Sequence, residues 1–121
     1  MKSILFLLLL VSSSVYAQDK VFLATVENSS EFLELKEKGE FNFIVSKQLT
    51  KEMVEKNAAY YTKMFTVELD ERKHLLKIKM VENTENNRHI MSRFFITSKI
   101  TQIDMDGKSY KVDEFYQKHT K

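Results

Sequence analysis

The chain of 121 residues has no cysteine, no proline and only two glycines. Without cysteine it can form no disulfide, carry out no thiol redox chemistry and bind no metal through thiolates. Without proline, and with so little glycine, it contains neither a rigid nor a flexible interdomain linker. We therefore expect a single core that is stabilised by side-chain packing alone.

The chain also lacks a strong excess of charge of either sign. Nineteen lysines and arginines face seventeen aspartates and glutamates, which leaves a formal net charge of +2. A balance of this kind gives no general attraction to polyanions or to anionic membranes. We expect no nucleic-acid partner.

The first residues have the layout of an export signal. Lys2 precedes an unbroken apolar run at 4–11, and small residues with Val15 and Ala17 follow at the spacing of a cleavage site. The run is much shorter than the roughly 20 residues of a membrane-spanning helix, so no membrane span is expected. We predict a signal peptide at residues 1–17, removed on export to the periplasm or the cell exterior. The remainder divides into an N-terminal extension at 18–40 and one domain at 41–121.

The most regular pattern in the chain lies at 65–80 and predicts a β-hairpin. Apolar and polar residues alternate on both sides of a loop at 71–74, as they do when each strand has one dry face. The register places Glu68 opposite Lys77 and Thr66 opposite Lys79 on the wet face. The dry face then carries Phe65, Val67, Leu69, Leu76, Ile78 and Met80.

Helices are predicted from capping residues followed by apolar residues at helical spacing. Asn28 precedes a short helix that ends near Gly39, Thr50 begins a second helix, and Asn83 or Thr84 begins a third. Arg88 lies off the apolar stripe of that third helix and is expected in solvent. Asp113 is expected to cap a short C-terminal helix.

The other strands are predicted from alternating residues and from one turn. Strands are expected at 21–26, 41–46, 101–105 and 109–112. Asp106 and Gly107 form a strong two-residue hairpin signal between the last two.

The order strand, helix, strand, strand, helix, strand over 41–105 is the split βαβ pattern. We predict an α+β fold of ferredoxin-like plan (βαββαβ), with a short N-terminal helix and a C-terminal hairpin strand and helix. The first and third strands of this plan are expected to lie side by side and parallel. Two helices cover one face of the sheet, and the other face is open.

This layout resembles ferredoxin-like domains, and among the small ones the heavy-metal-associated domains of metal chaperones. Those domains bind metal through two cysteines in the loop between the first strand and the first helix. The corresponding loop here, 46–51, has no cysteine, so the metal site of the family does not carry over. We predict no cofactor.

No spacing of residues indicates catalysis or metal binding. The histidines, His74, His89 and His119, fall in different elements, and the aspartates Asp104 and Asp106 are explained by a strand and a turn. We predict no catalytic and no metal-binding residues. The alternative is a small metal carrier or hydrolase with a site assembled from scattered His, Asp and Glu residues.

The open sheet face is the most informative surface, because it carries two apolar residues among polar ones. Uncovered sheets commonly bind partners or associate with themselves, although isolated exposed apolar residues are also ordinary. The sequence therefore favours a non-catalytic binding module, whose partner is an unknown protein or a second copy in a homodimer, and the alternative is a plain solvated face. The residues of this predicted surface are Ile44, Thr66, Glu68, Leu75, Lys77 and Lys79.

Overall fold

A computed structural model describes residues 21–121 of the chain, and the predicted signal peptide at 1–17 lies outside them. The described part is an α+β fold with a six-stranded mixed sheet. Its strands are β1 (Phe22–Val26), β2 (Glu40–Val45), β3 (Phe65–Asp70), β4 (Leu75–Met80), β5 (Ile100–Met105) and β6 (Lys108–Lys111). Its helices are α1 (Ser29–Glu37), α2 (Lys51–Ala58), α3 (Glu85–Thr97) and α4 (Val112–Phe115), with a 3-10 turn at Ala59–Tyr61 and a π-turn at Tyr116–Thr120.

The hairpin of β3 and β4 has the predicted register. Phe65 lies opposite Met80, Glu68 opposite Lys77 and Thr66 opposite Lys79. The second predicted turn is also confirmed, because Asp106 and Gly107 both have positive φ, 53° and 76°, as a type I′ turn requires. Alternation and the Asp106-Gly107 turn were therefore sufficient to predict both hairpins.

The ferredoxin-like order is not confirmed, because the strand order is β3-β4-β2-β1-β5-β6. Strand β1 lies between β2 and β5, antiparallel to β2 and parallel to β5. The expectation that β2 and β4 run parallel is wrong, since they are antiparallel neighbours. The hairpin turn makes β4 antiparallel to β3. Strand β4 then lies between β2 and β3 and is antiparallel to both. Residues 22–37 belong to the predicted N-terminal extension, and they supply the central strand β1 and the helix α1.

Side chains cap three of the helices as predicted. The side-chain oxygens of Asn28, Thr50 and Thr84 accept hydrogen bonds from main-chain N–H groups three residues later, at 3.0, 3.2 and 3.1 Å. The prediction for Asp113 is wrong, because the N-cap is Lys111 and α4 begins at Val112, so that Asp113 lies inside the helix. Val112 is buried there, and the Glu114 carboxylate accepts from the N–H of Lys111 at 3.3 Å.

The core lies on one face of the sheet, under the helices, as expected. Phenylalanine rings from the sheet and from two helices meet there edge to face. The ring of Phe43 in β2 lies 5.6 Å from that of Phe32 in α1 and 5.1 Å from that of Phe95 in α3. Such pairs contribute about 0.5–1.5 kcal/mol each beyond the burial of their surface. They fix both helices over β2.

A polar network joins the C-terminal turn to two helices, and it includes Arg88, which was wrongly expected in solvent. Arg88 is half-buried; its Nε donates to the carbonyl oxygen of Thr120 at 2.7 Å, and its Nη1 donates to Asn83 Oδ1 at 2.8 Å. Asn83 Nδ2 in turn donates to the carbonyl oxygen of Lys36 at 3.0 Å, at the end of α1. The network provides a partner for the carbonyl oxygen of Thr120 and a second partner for that of Lys36, which also accepts from the N–H of Gly39 at 2.9 Å.

Gly39 follows α1 in the left-handed region, with φ of 75°, and the space around it is already filled. A Cβ atom at this position would lie 3.1 Å from the Cβ of Asn83 and 3.2 Å from that of Met80. Gly107 has nearly the same φ, 76°, but no atom within 4 Å of its added Cβ. The two glycines therefore separate the cost of backbone conformation from the cost of crowding.

We expect Gly107→Ala to lower the free energy of unfolding by about 1–2 kcal/mol, the cost of a side chain in left-handed conformation. Gly39→Ala adds a steric conflict with two side chains, and we expect it to cost at least about 1 kcal/mol more. Urea unfolding followed by circular dichroism measures both. Equal losses in the two variants would show that the contact of Gly39 with Asn83 and Met80 contributes nothing.

Candidate functional site

The six residues of the predicted surface lie together on the open face of the sheet. Ile44 of β2 lies opposite Leu75 of β4 and, on its other side, opposite Thr25 of β1. Thr66, Glu68, Lys77 and Lys79 continue the same face over β3 and β4. Ile44 and Leu75 are half-buried, whereas the other four are exposed.

The charged side chains of this face do not neutralise one another by direct contact. Within residues 21–121, one ion pair has its nitrogen and oxygen atoms within 4.0 Å of each other, that of Lys51 and Glu55 on α2. Glu68 and Lys77 face each other in the ladder without forming one. Their charges are thus available to other molecules.

A cavity of about 160 Å³ lies in the open face, where β1 and β2 separate. We call it the fork cavity. The ladder between these strands contains two residue pairs, Ala24 with Val45 and Thr25 with Ile44, and beyond them the strands diverge toward α1. The cavity is lined by Thr25, Val26, Glu27, Asn28, Glu31, Phe32, Leu35, Asn42, Phe43, Ile44 and Leu75.

A shallow groove of about 330 Å³ adjoins the fork cavity on the same face. Asn42 lines both depressions and therefore connects them. The groove is lined by Glu40, Asn42, Thr66, Glu68, Lys77, Ile78 and Lys79. The residues predicted from the sequence thus divide between the two depressions, with Ile44 and Leu75 at the first and the other four at the second.

The sequence did not identify the part of the site that β1 supplies. Leu23 and Thr25 of β1 lie on the open face. Leu23 is 37 % exposed, and Thr25 is paired with Ile44. The alternation at 21–26 indicated a strand, but nothing in it indicated that this strand neighbours β2. Glu27 and Glu31 were missed for the same reason.

A polar cluster occupies the other end of the open face, on β5 and β6. Ser109 Oγ donates to Asp104 Oδ1 at 2.7 Å, and Gln102 Nε2 lies 3.0 Å from the same oxygen. These hydrogen bonds, that from Ser109 first, lower the pKa of Asp104. An ionised, hydrogen-bonded carboxylate that joins two strands is explained by its structural role.

The three histidines lie in three different parts of the fold. His74 ends the loop before β4, His89 on α3 stacks on Tyr116 with ring centroids 4.6 Å apart, and His119 lies in the π-turn. Residues 21–121 contain no group of three or more His, Cys, Asp or Glu side chains that could hold a metal ion.

Two further clefts lie away from the predicted surface. One of about 400 Å³ is near the ends of α2 and α3 and includes Lys56 and Lys99; the other, of about 540 Å³, is beside β6 and α4 and includes Tyr110 and Glu114. Neither brings together side chains with complementary catalytic roles.

Comparison of the chain with protein-family models, with curated proteins and with solved structures finds no match. Among the helices in residues 21–121, none has the length and apolar character needed to cross a bilayer.

His119 is half-buried, and its Nε2 atom is fully buried without a hydrogen-bond partner among the described residues. Its ring lies 5.1 Å from those of Tyr110 and Phe115. Burial lowers the pKa of His119, nearby Lys118 and Lys36 lower it further, and Asp106 partly opposes them. The folded state therefore disfavours the protonated ring.

We expect His119 to make the protein less stable in mild acid. Because its folded pKa lies below the unfolded value of about 6.5, the unfolded chain binds more protons as the pH falls. The stabilising effect of the neutral ring is complete above that unfolded value and is lost as the pH falls through the folded pKa. Urea midpoints of the wild type and His119→Phe between pH 5 and 8 measure it.

The variant is expected to lose part of the decline in midpoint below about pH 6.5. His74→Asn is the matched control, because asparagine tolerates the left-handed φ of 53° at this loop position. It should retain the decline. If His119→Phe retains all of it, the decline has another origin.

Proposed function

We propose that this protein is a non-catalytic binding module that docks a protein partner on the open face of its sheet. The observation that carries the proposal is the fork cavity, which opens in the middle of this face beside Ile44 and Leu75. A depression lined by apolar side chains together with polar and charged ones is common in protein interfaces.

The size of the fork cavity favours a protein side chain over a small-molecule ligand. Its volume of about 160 Å³ is below the roughly 300–1,000 Å³ of small-molecule pockets. An anchor side chain from a partner needs less space, and neighbouring contacts then exclude water around it. The adjoining groove, with Glu68, Lys77 and Lys79 along it, supplies the polar rim.

The predicted leader at 1–17 supports a location in the periplasm or outside the cell. In either place, a chain without cysteine performs its function without disulfide exchange. Binding by a preformed sheet face requires no cofactor, in keeping with our expectation from the sequence.

A photo-reactive amino acid at Leu75, in cells of the source organism, tests the proposal. We expect irradiation to give one discrete adduct, because Leu75 lies at the rim of the fork cavity. The matched control is the same substitution at Leu33, which is 49 % exposed on α1, away from this face. An adduct of twice the chain mass would identify a second copy as the partner.

Ile44→Asp introduces a charge beside the cavity and should lower the yield of the Leu75 adduct about tenfold, as truncation of an interface anchor does. Circular dichroism checks that the variant is folded. Equal labelling from Leu33 and Leu75, or no adduct from Leu75, would identify the face as merely solvated.

A further inference from the structure

The main chain of β2 presents hydrogen-bonding groups to the fork cavity. In an antiparallel pair, alternate residues direct their N–H and C=O groups to the same neighbour. The N–H of Met80 donates to the carbonyl oxygen of Gly39 at 2.8 Å, and the N–H of Val45 donates to that of His74 at 2.9 Å. The main-chain groups of the odd-numbered residues of β2 therefore bond to β4, and those of the even-numbered residues point toward β1.

Strand β1 pairs with only part of that even-numbered row. The N–H of Ser46 donates to the carbonyl oxygen of Leu23 at 3.1 Å, and Ile44 is paired with Thr25. Asn42 and Glu40 come next, where β1 has already turned away. Within residues 21–121, no main-chain group forms a hydrogen bond with the N–H or C=O groups of Asn42 and Glu40 on the side of β2 that faces β1.

Main-chain groups of strand residues are normally paired with another strand, with side chains or with water. Asn42 and Glu40 are both half-buried, and Asn42 lines the fork cavity. An added strand is the partner that satisfies two donors and two acceptors at this spacing.

The charges around the fork indicate the sign of that partner. Glu27 and Glu31 line the cavity, which has no lysine or arginine in its lining, and Glu40, opposite Lys79 of β4, precedes Asn42 along β2. None of the three carboxylates belongs to an ion pair within residues 21–121. Basic side chains placed here gain attraction without displacing an existing bond.

We propose that the fork receives an extended segment of the partner polypeptide, which pairs its main chain with Glu40 and Asn42 and carries an aliphatic residue between two basic ones. The aliphatic side chain points inward to Phe32 and Leu35, and the basic side chains lie on the open face beside the glutamates. The inference rests on the proposed function and specifies how that face recognises its partner.

The outer edge of β3 is the alternative place for an added strand, and it is less suitable. By the same alternation, its outward groups belong to Phe65, Val67 and Leu69. Phe65 and Leu69 are only 0 % and 3 % exposed, so little of this edge is accessible. The fork offers accessible groups and a cavity together.

The blocked peptide Ac-Thr-Lys-Leu-Lys-Thr-NH2 tests the inference by nuclear magnetic resonance of the purified protein. We expect it to shift the amide signals of Glu40 and Asn42 and to slow their hydrogen exchange. Replacing the leucine of the peptide with aspartate, or both lysines with glutamates, should weaken binding at least about tenfold. No shift at about 10 mM peptide, or equal binding of the glutamate peptide, would overturn the inference.

Asn42→Pro removes the N–H that faces the fork and leaves the bonds between β2 and β4 intact, as proline does at a strand edge. Val67→Pro is the matched control, because it removes an outward N–H from the edge of β3. We expect Asn42→Pro to weaken peptide binding at least about tenfold and Val67→Pro to leave it unchanged. Equal weakening by both variants, or by the control alone, would contradict a site at the fork.

Glu40→Lys provides a second test if Asn42→Pro does not fold. It should weaken the lysine peptide and strengthen the glutamate peptide, whereas Glu34→Lys, on the exposed side of α1, should change neither. An adduct from Leu75 that Asn42→Pro does not diminish would refute strand addition while the proposed function stands. Absence of that adduct would refute the proposed function itself.

Discussion

The position of β1 between β2 and β5 determines both the sheet and the candidate site. Five residues of β1 pair with β5 in parallel, whereas two pair with β2. The strand therefore follows β5 along its whole length and leaves β2 early. The chain then begins α1 at Ser29, three positions after β1 ends. The fork cavity is the space that this divergence leaves.

The packing under the sheet holds the fork in shape. Phe32 of α1 contacts Phe41 and Phe43 of β2, with ring centroids 5.8 and 5.6 Å apart, so α1 is fixed across the opening on the inner side. Rings packed edge to face in a dense core allow little movement. The cavity thus has a rigid floor, and a binding partner need not order it first.

Features that depend on neighbouring residues in the sequence could be predicted, and features that depend on distant segments could not. Alternation gave the register of β3 and β4, and Asn28, Thr50 and Thr84 marked the starts of three helices. Five of the six residues of the open face followed from that register, and Ile44 followed from the alternation at 41–46. Their role in binding remains a proposal.

The order of strands was not predictable, because it depends on which apolar strands best pair across long separations. A pattern at 21–26 that indicates a strand contains no information about its neighbours. The prediction that Arg88 lies in solvent failed for a similar reason. Apart from Asn83, its hydrogen-bond partners belong to the C-terminal turn, which the spacing of residues in the third predicted helix does not reveal. The glutamates of the fork could be recognised as a group only after β1 was placed beside β2.

The pairing of Phe22 with Ile100 has a consequence for the order in which the protein folds. The hairpin of β3 and β4 closes a short loop and can form early, whereas the contact between β1 and β5 requires nearly the whole described chain. A growing polypeptide cannot complete its sheet until β5 has emerged. The central strand β1 thus remains without its parallel neighbour until residues 100–105 have been made.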